Sequence, residues 1–423
     1  MQKIISSLLL AASLLLLLLT MAANTNAQLS SLPPFCGIAP EAAPEGQDIS
    51  GKDLSISSKS AKPSGMYARA YCLLDADSGR TLFGENEDQQ MPMASTTKIM
   101  TCIIALENGS LDSKVSVSPY AASMPDVQLN MQSGDTFYLK DLLYSLMLES
   151  HNDTAVAIAE AVGGSVEGFA DLMNQKAEEL GCTDTHFVTP NGLDANEHYT
   201  TAKELCTIAS YAIQNEKFLK IIQTPSHRFS NCDGTRSYSV RNHDAFLTSY
   251  SGAIGIKTGF TGKAGYCFCG AARRDGKTLI TSVLACGWPP HKGYKWIDTK
   301  KLMDFGFANF KTVSIKQNKL PKTLPVSGGT QDSVAIKRTS SKPLTVMLCE
   351  SDKITVKYKL SDILKAPVRQ GDIIGYEKYY LNKKLLCQSP IIADGSVQKR
   401  DWKYYAKIIK NIFFWNTTST SSS

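Results

Sequence analysis

The chain has 423 residues, 43% of them hydrophobic and 20% charged, enough to bury a sizeable core in two or three domains. A formal net charge of +6, with no Lys/Arg-rich block interleaved with aromatics in the folded part, excludes a nucleic-acid function. Eleven cysteines leave at least one unpaired, and those inside apolar runs such as Tyr266–Cys269 read as free core thiols rather than a disulfide framework or zinc site.

In chain order, Lys3 precedes an apolar run from Ile4 to Met21, and small residues follow to Ala27. Residues 1–27 read as a secretory signal peptide cut after Ala27, with an uncleaved membrane anchor as the alternative. Either reading puts the remainder outside the cytoplasm. Residues 28–63, rich in Pro, Ser, Gly and acids, read as a flexible linker. Tyr67–Leu74 and Arg80–Phe83 flank a turn and predict a hairpin.

Ser95 then opens a helix through Ile99, Cys102, Ile103 and Leu106, ending near Asn108-Gly109. Leu139–Leu148 is helical, Ser150–Asn152 interrupts, and Asp153–Val162 resumes. Ser165 caps a further helix carrying Phe169, Leu172, Met173 and Leu180 on one face. Ala253–Thr258, Gly265–Arg273 and Thr278–Cys286 predict consecutive antiparallel strands, and Gly293–Phe307 a closing helix.

Beyond Phe310, short β-prone runs (Thr312–Ile315, Ser333–Ile336, Leu344–Leu348, Ile354–Tyr358) predict a separate small β domain over 311–398. In 399–415, Trp402, Tyr405, Ala406, Ile409, Ile412 and Phe413 recur at helical spacing, with Lys403, Lys407 and Lys410 on the other side. This reads as an in-plane membrane anchor, the alternative being a terminal helix docked on the β domain; a polar tail, 416–423, follows.

Three short motifs carry the chemistry. Ser95-Thr-Thr-Lys98 places an amine one helical turn from a hydroxyl, Ser150-His151-Asn152 follows in a loop, and Lys257-Thr258-Gly259 lies on a strand. A serine hydroxyl is a poor nucleophile until a base takes its proton, and a lysine can do so where burial and a second cation lower its pKa. Lys257 would supply that cation and attract an anionic substrate end. A helix start also offers free N–H groups toward an oxyanion.

Ser-x-x-Lys, Ser-x-Asn and Lys-Thr-Gly in this order resemble the motif set of penicillin-binding proteins and class A β-lactamases. With Pro92–Met100, Pro190-Asn-Gly-Leu193, His198–Ala202 and Thr261–Gly265 beside them, the chain resembles a low-molecular-mass penicillin-binding protein, a serine-type D-alanyl-D-alanine carboxypeptidase of the peptidase S11 kind. The resemblance implies an α+β fold: a serine β-lactamase/penicillin-binding-protein-like catalytic domain over 64–310, with an antiparallel sheet, helices and an all-helical lobe, followed by the small all-β domain.

It also implies residue roles. Ser95 is the nucleophile, Lys98 the base and Ser150 a proton relay. Asn152 holds the acyl-chain amide, Lys257, Thr258 and Gly259 bind the substrate carboxylate, and the backbone N–H groups of Ser95 and Phe260 form the oxyanion hole. The substrate is a peptidoglycan stem peptide, β-lactams are inhibitors, the membrane surface is met through the C-terminal helix, and no cofactor or metal is called for. Two positions depart from many relatives: His151 stands where they carry glycine, a ring that could narrow the cleft or perturb Lys98, and Phe260 stands where some carry histidine. His186, His198, His227, His243 and His291 read as structural or solvated, Asp194 as a turn carboxylate, and Met124 and Met131 as packing.

A class A β-lactamase needs a Glu-x-x-Leu-Asn loop, which does not occur between Ser150 and Lys257. A non-catalytic penicillin-sensing or wall-binding module would not need the serine–lysine pair. An endopeptidase would use the same residues.

Overall fold

The computed structural model describes residues 47–50, 53–317 and 319–415. The expected signal peptide, Cys36 and the polar tail lie outside the described residues. The chain divides into two compact units, one of Gly51–Ile315 with Leu344–Ser351, the other containing Lys316–Pro343 and Asp352–Ser423 together with the segment ending at Ser50.

In the first unit β1 (Ala70–Asp75) is buried at every position, as a strand covered on both faces must be. Its partner β2 (Thr81–Glu85) completes the predicted hairpin. The helical lobe follows: α1 (Lys98–Asn108), α2 (Leu139–Leu148), α3 (Asn152–Gly163), α4 (Val166–Glu179), α5 (Ala202–Ala212) and α6 (Glu216–Gln223). Every residue of α1 from Lys98 to Ala105 is buried, which suits a central helix with no polar face. Around it, side-chain caps fix three helix starts. Ser165 accepts Gly168 N–H at 3.0 Å, Thr201 accepts Glu204 N–H at 3.1 Å, and Asn215 accepts Lys217 N–H at 2.9 Å.

The chain then returns to the sheet as β3 (Ala253–Thr261), β4 (Gly265–Arg274) and β5 (Lys277–Leu284), and closes with α7 (Tyr294–Asn309). The sheet order is β2-β1-β5-β4-β3, antiparallel throughout, so β3 is a free edge. Helix α5 covers one face, where Cys206 Sγ lies 3.8 Å from Cys72 O and Ser282 Oγ donates to Ala202 O at 2.5 Å. Leu302, Met303 and Phe305 of α7 bury against Leu73, Leu279 and Val283 on the other.

The second unit is an all-β body of seven strands in one sheet, with Leu324, Val326, Val334, Ile336, Ile391 and Val397 in its core. Glu377, fully buried, accepts from both Arg338 Nε at 2.8 Å and Arg338 Nη2 at 2.7 Å. The helix Trp402–Trp415 follows, with Trp402 74% and Ile409 55% exposed.

Two sequence expectations change. The linker over 28–63 is not unstructured at its end: Gln47–Ser50 pairs as a strand with Lys353–Val356, Ile56 is buried, and the N–H groups of Lys59 and Ser60 reach Asn309 Oδ1 at 2.9 and 3.0 Å. Short alternating segments flanked by Pro and Gly give too weak a period to read. The β-rich domain drawn over 311–398 is also not one body. Lys311–Ile315 pairs with Leu344–Leu348, and this ribbon belongs to the first unit, where Met347 joins the core with Leu73 and Phe310. None of the ten described cysteines forms a disulfide, and eight of them are buried.

Candidate active site

Ser95 lies in a single 3-10 turn, Ala94–Thr97, which runs straight into α1 at Lys98. Ala94 takes a positive φ of 48°, a conformation that costs an L-residue energy and that turns the chain sharply just ahead of the nucleophile candidate. The Ser95 side chain remains half-exposed while Lys98 is completely buried. Lys98 Nζ stands 2.8 Å from Ser95 Oγ, 2.8 Å from Asn152 Oδ1 and 2.6 Å from Asn191 O. Burial holds this amine well below its ordinary pKa, the Lys257 charge lowers it further, and Asp153 opposes them.

Asp153 is itself buried, at the start of α3, and accepts the N–H groups of Leu129 at 3.0 Å and Thr154 at 2.8 Å.

The Lys257-Thr258-Gly259 stretch is the edge strand β3, drawn tightly against the Ser95 turn. A Cβ at Gly259 would stand 3.0 Å from Ser95 N and 3.1 Å from Met93 O, so only glycine lets the two backbones approach this closely. Lys257 is buried and reaches Thr258 O at 3.3 Å, and burial brings its pKa down to about 8 against the pull of Asp244. Thr258 is half-buried, and Phe260 is exposed with its ring against Tyr266 at 4.6 Å.

The third motif differs in detail from its expected roles. Ser150 holds a positive φ of 70° in the loop between α2 and α3, and its Oγ, although buried, has no hydrogen-bond partner among the described residues; it does not bridge to Lys98. Asn152 was expected to hold an acyl-chain amide. Its Nδ2 instead donates to Pro125 O at 3.0 Å and Asp126 O at 3.1 Å, and its Oδ1 accepts from Lys98. Both hydrogens of that amide are therefore engaged by the neighbouring loop.

His151 does not narrow the cleft. Its ring is buried beneath the loop, with Nδ1 2.8 Å from Ser145 Oγ and Nε2 3.2 Å from Glu149 Oε2. Burial lowers its pKa to about 4, so the ring is neutral at physiological pH.

Four participants stand outside the three chemistry-bearing motifs. The Asn191 carbonyl belongs to the Pro190-Asn-Gly-Leu193 loop, which tucks under the Ser95 turn. Gly192 has φ 82°, and a Cβ there would fall 2.1 Å from Ala94 O. His198, read only as structural or solvated, is buried and bonds Thr97 Oγ1 through Nε2 at 2.9 Å while its Nδ1 accepts Val188 N–H at 3.0 Å. Asp194 accepts from Thr261 Oγ1 at 2.8 Å, joining this loop to the end of β3. Asp153 is the fourth. Among the described residues no group of His, Cys, Asp and Glu is arranged to hold a metal ion.

This arrangement brings a hydroxyl, a buried amine of lowered proton affinity, and a second buried amine on an edge strand to one cleft. It suits nucleophilic acyl transfer to a carboxylate-bearing substrate.

Comparison with known proteins agrees. Residues 57–287 match the family described as Peptidase S11, D-alanyl-D-alanine carboxypeptidase, and residues 310–399 match the penicillin-binding protein 5 C-terminal domain. The chain is 29% identical to the D-alanyl-D-alanine carboxypeptidase DacF of Bacillus subtilis over 350 residues, which cover 80% of this chain and 88% of that one. It is 36% identical to the D-alanyl-D-alanine carboxypeptidase of Streptomyces sp. over 246 residues, 54% of this chain and 84% of the relative. Penicillin-binding protein 5 from Haemophilus influenzae superposes with a TM-score of 0.67 at 27% identity, covering 80% of this chain and all of that one. With the fold, the motifs and these relatives in agreement, the chain belongs to the Peptidase S11 family of D-alanyl-D-alanine carboxypeptidases, which are serine-type hydrolases.

Proposed function

We propose that the chain removes the terminal D-alanine from peptidoglycan stem pentapeptides through an acyl-enzyme on Ser95, and that β-lactams acylate the same hydroxyl. The observation that carries this is the Lys98 amine, buried and 2.8 Å from Ser95 Oγ. A neutral amine has two N–H donors and one lone pair. With the donors directed to Asn152 Oδ1 and Asn191 O, the lone pair faces Ser95 Oγ, the geometry a general base requires.

In this reading Ser95 attacks the carbonyl of the penultimate D-alanine and Lys98 takes its proton. The backbone N–H groups of Ser95 and Phe260 receive the oxyanion. Lys257 and Thr258 grip the terminal carboxylate, with Gly259 letting their strand lie close against the Ser95 turn. Lys98 then gives that proton up to the leaving amine, whose nitrogen also offers the buried Ser150 Oγ the partner it lacks. Water then releases the shortened peptide.

The absence of a Glu-x-x-Leu-Asn loop in the sequence weighs against a β-lactamase, and the ordered serine–lysine pair against a binding-only module. The helix Trp402–Trp415, with exposed Trp402, Tyr405 and Ile409 and three lysines, would lie in the outer surface of the cytoplasmic membrane and hold the enzyme near the wall. Among the described residues no helix is long and apolar enough to cross a membrane.

The test is to incubate the protein and Ser95→Ala with penicillin and with a stem pentapeptide, reading intact mass and free D-alanine. A covalent adduct and D-alanine release, both lost in Ser95→Ala, are expected. Adduct without release would leave only a penicillin sensor, and rapid penicillin turnover a β-lactamase.

A further inference from the structure

Behind the Lys257-Thr258-Gly259 stretch lies a carboxylate for which the reaction above has no use. Asp244 sits just ahead of the short helix Phe246–Ser249, and its Oδ1 accepts Phe246 N–H at 2.9 Å. Its Oδ2 accepts Ile256 N–H at 3.1 Å, the residue immediately before Lys257. The register of β3 on β4 shifts between Ala253 and Gly255, and a Cβ at Gly255 would stand 3.0 Å from Asp244 Oδ2. The carboxylate is thus pressed against the backbone at the irregularity from which Lys257 emerges, and it replaces the hydrogen bonds that a bulged strand loses.

We propose that Asp244 is a positioning residue for the carboxylate-binding strand, fixing the backbone between the bulge at Ala253–Gly255 and Lys257 and setting a negative charge within electrostatic reach of the Lys257 ammonium. The inference rests on the reading that Lys257 grips the substrate carboxylate, and it adds the group that keeps that grip charged.

The electrostatic surroundings agree. Lys257 interacts electrostatically with Asp244, Lys98 and His151, and Asp244 with Lys257 and Lys295. Burial raises the Asp244 carboxyl to about 6, so it is ionised at neutral pH, while Lys257 is held at about 8 with Asp244 resisting a further fall. Removing the charge at Asp244 therefore lowers the pH at which Lys257 becomes neutral.

The experiment measures the acylation rate of Ser95 by penicillin G and by its carboxylate-free methyl ester, read as intact mass from pH 6 to 10, in the wild type and Asp244→Asn. The expected result is an alkaline limb for penicillin G displaced about one pH unit toward neutrality in the variant, with the methyl-ester profile unmoved, since a one-unit pKa change is a modest perturbation of a buried pair. Superimposable penicillin G profiles, or an equal loss for both ligands at every pH, would overturn the proposal by leaving Asp244 a purely structural bond. If Asp244→Asn does not fold, Asp244→Ser, whose hydroxyl can keep one N–H bond without charge, is measured the same way. Acylation is read without any D-alanine assay, so failure of the carboxypeptidase reading, adduct without D-alanine release, is separate from failure here.

Discussion

At the residue scale, the chemistry depends on how few hydrogen-bond partners Lys98 has and where they point. Asn152 Oδ1 and Asn191 O take its two N–H groups, so removing one of them frees the amine to turn away from Ser95. Asn152→Ala also breaks the two bonds to Pro125 O and Asp126 O. Its kcat/KM is expected to fall about 100-fold or more, in the range lost with a general base, and its Tm by a few degrees. Steady-state kinetics and a thermal melt check both, and an Asn152→Ala enzyme with unchanged kcat/KM would remove Asn152 from the base's support.

The serine, lysine and asparagine of this cluster are legible in the sequence because the proposed reaction calls for those side chains at short fixed spacings. Asn191 and Asp244 are not, since a backbone carbonyl has no side-chain signature and a buried carboxylate looks like any turn acid until the chain folds over it. Ser150 was legible as a residue but not in its contacts: its bonding depends on a loop conformation with positive φ that no local pattern announces.

At the scale of elements, the long periodic segments α1 to α4 and the strands β3 to β5 follow directly from their apolar patterns, and the predicted boundaries fall within a few residues of the observed ones. Segments that depend on a distant partner do not. Gln47–Ser50 becomes a strand only because Lys353–Val356 offers an edge, and Lys311–Ile315 joins the first unit only because Leu344–Leu348 returns to pair with it. The terminal helix has its own test. Deleting residues 402–423 is expected to abolish co-sedimentation with phosphatidylglycerol vesicles while leaving D-alanine release from soluble pentapeptide unchanged. Retained vesicle binding would return the helix to a purely protein-docking role.

At the scale of the whole molecule, two histidines buried beneath the cleft link stability to pH. His151 and His198 have ordinary values near 6.5 and are held at about 4 by burial. The unfolded chain therefore binds more protons than the folded one between those values. Stability is fully present above pH 6.5 and is lost as pH falls toward 4. At pH 5 the loss is on the order of 2 kcal/mol per ring. Urea unfolding of the full chain at pH 7 and pH 5 should show a lower midpoint for the first unit at pH 5, and His198→Gln should remove about half of that difference. Equal midpoints would mean the rings are solvated when folded.

The most direct test of the central claim, that a neutral Lys98 takes the proton of Ser95, is the pH dependence of Ser95 acylation by penicillin in the wild type and Lys98→Arg. The wild type should acylate through neutrality and slow in acid as Lys98 acquires a proton. Lys98→Arg, whose guanidinium offers no lone pair, should be slower by about 1,000-fold at every pH. A Lys98→Arg enzyme acylated at close to the wild-type rate would contradict it.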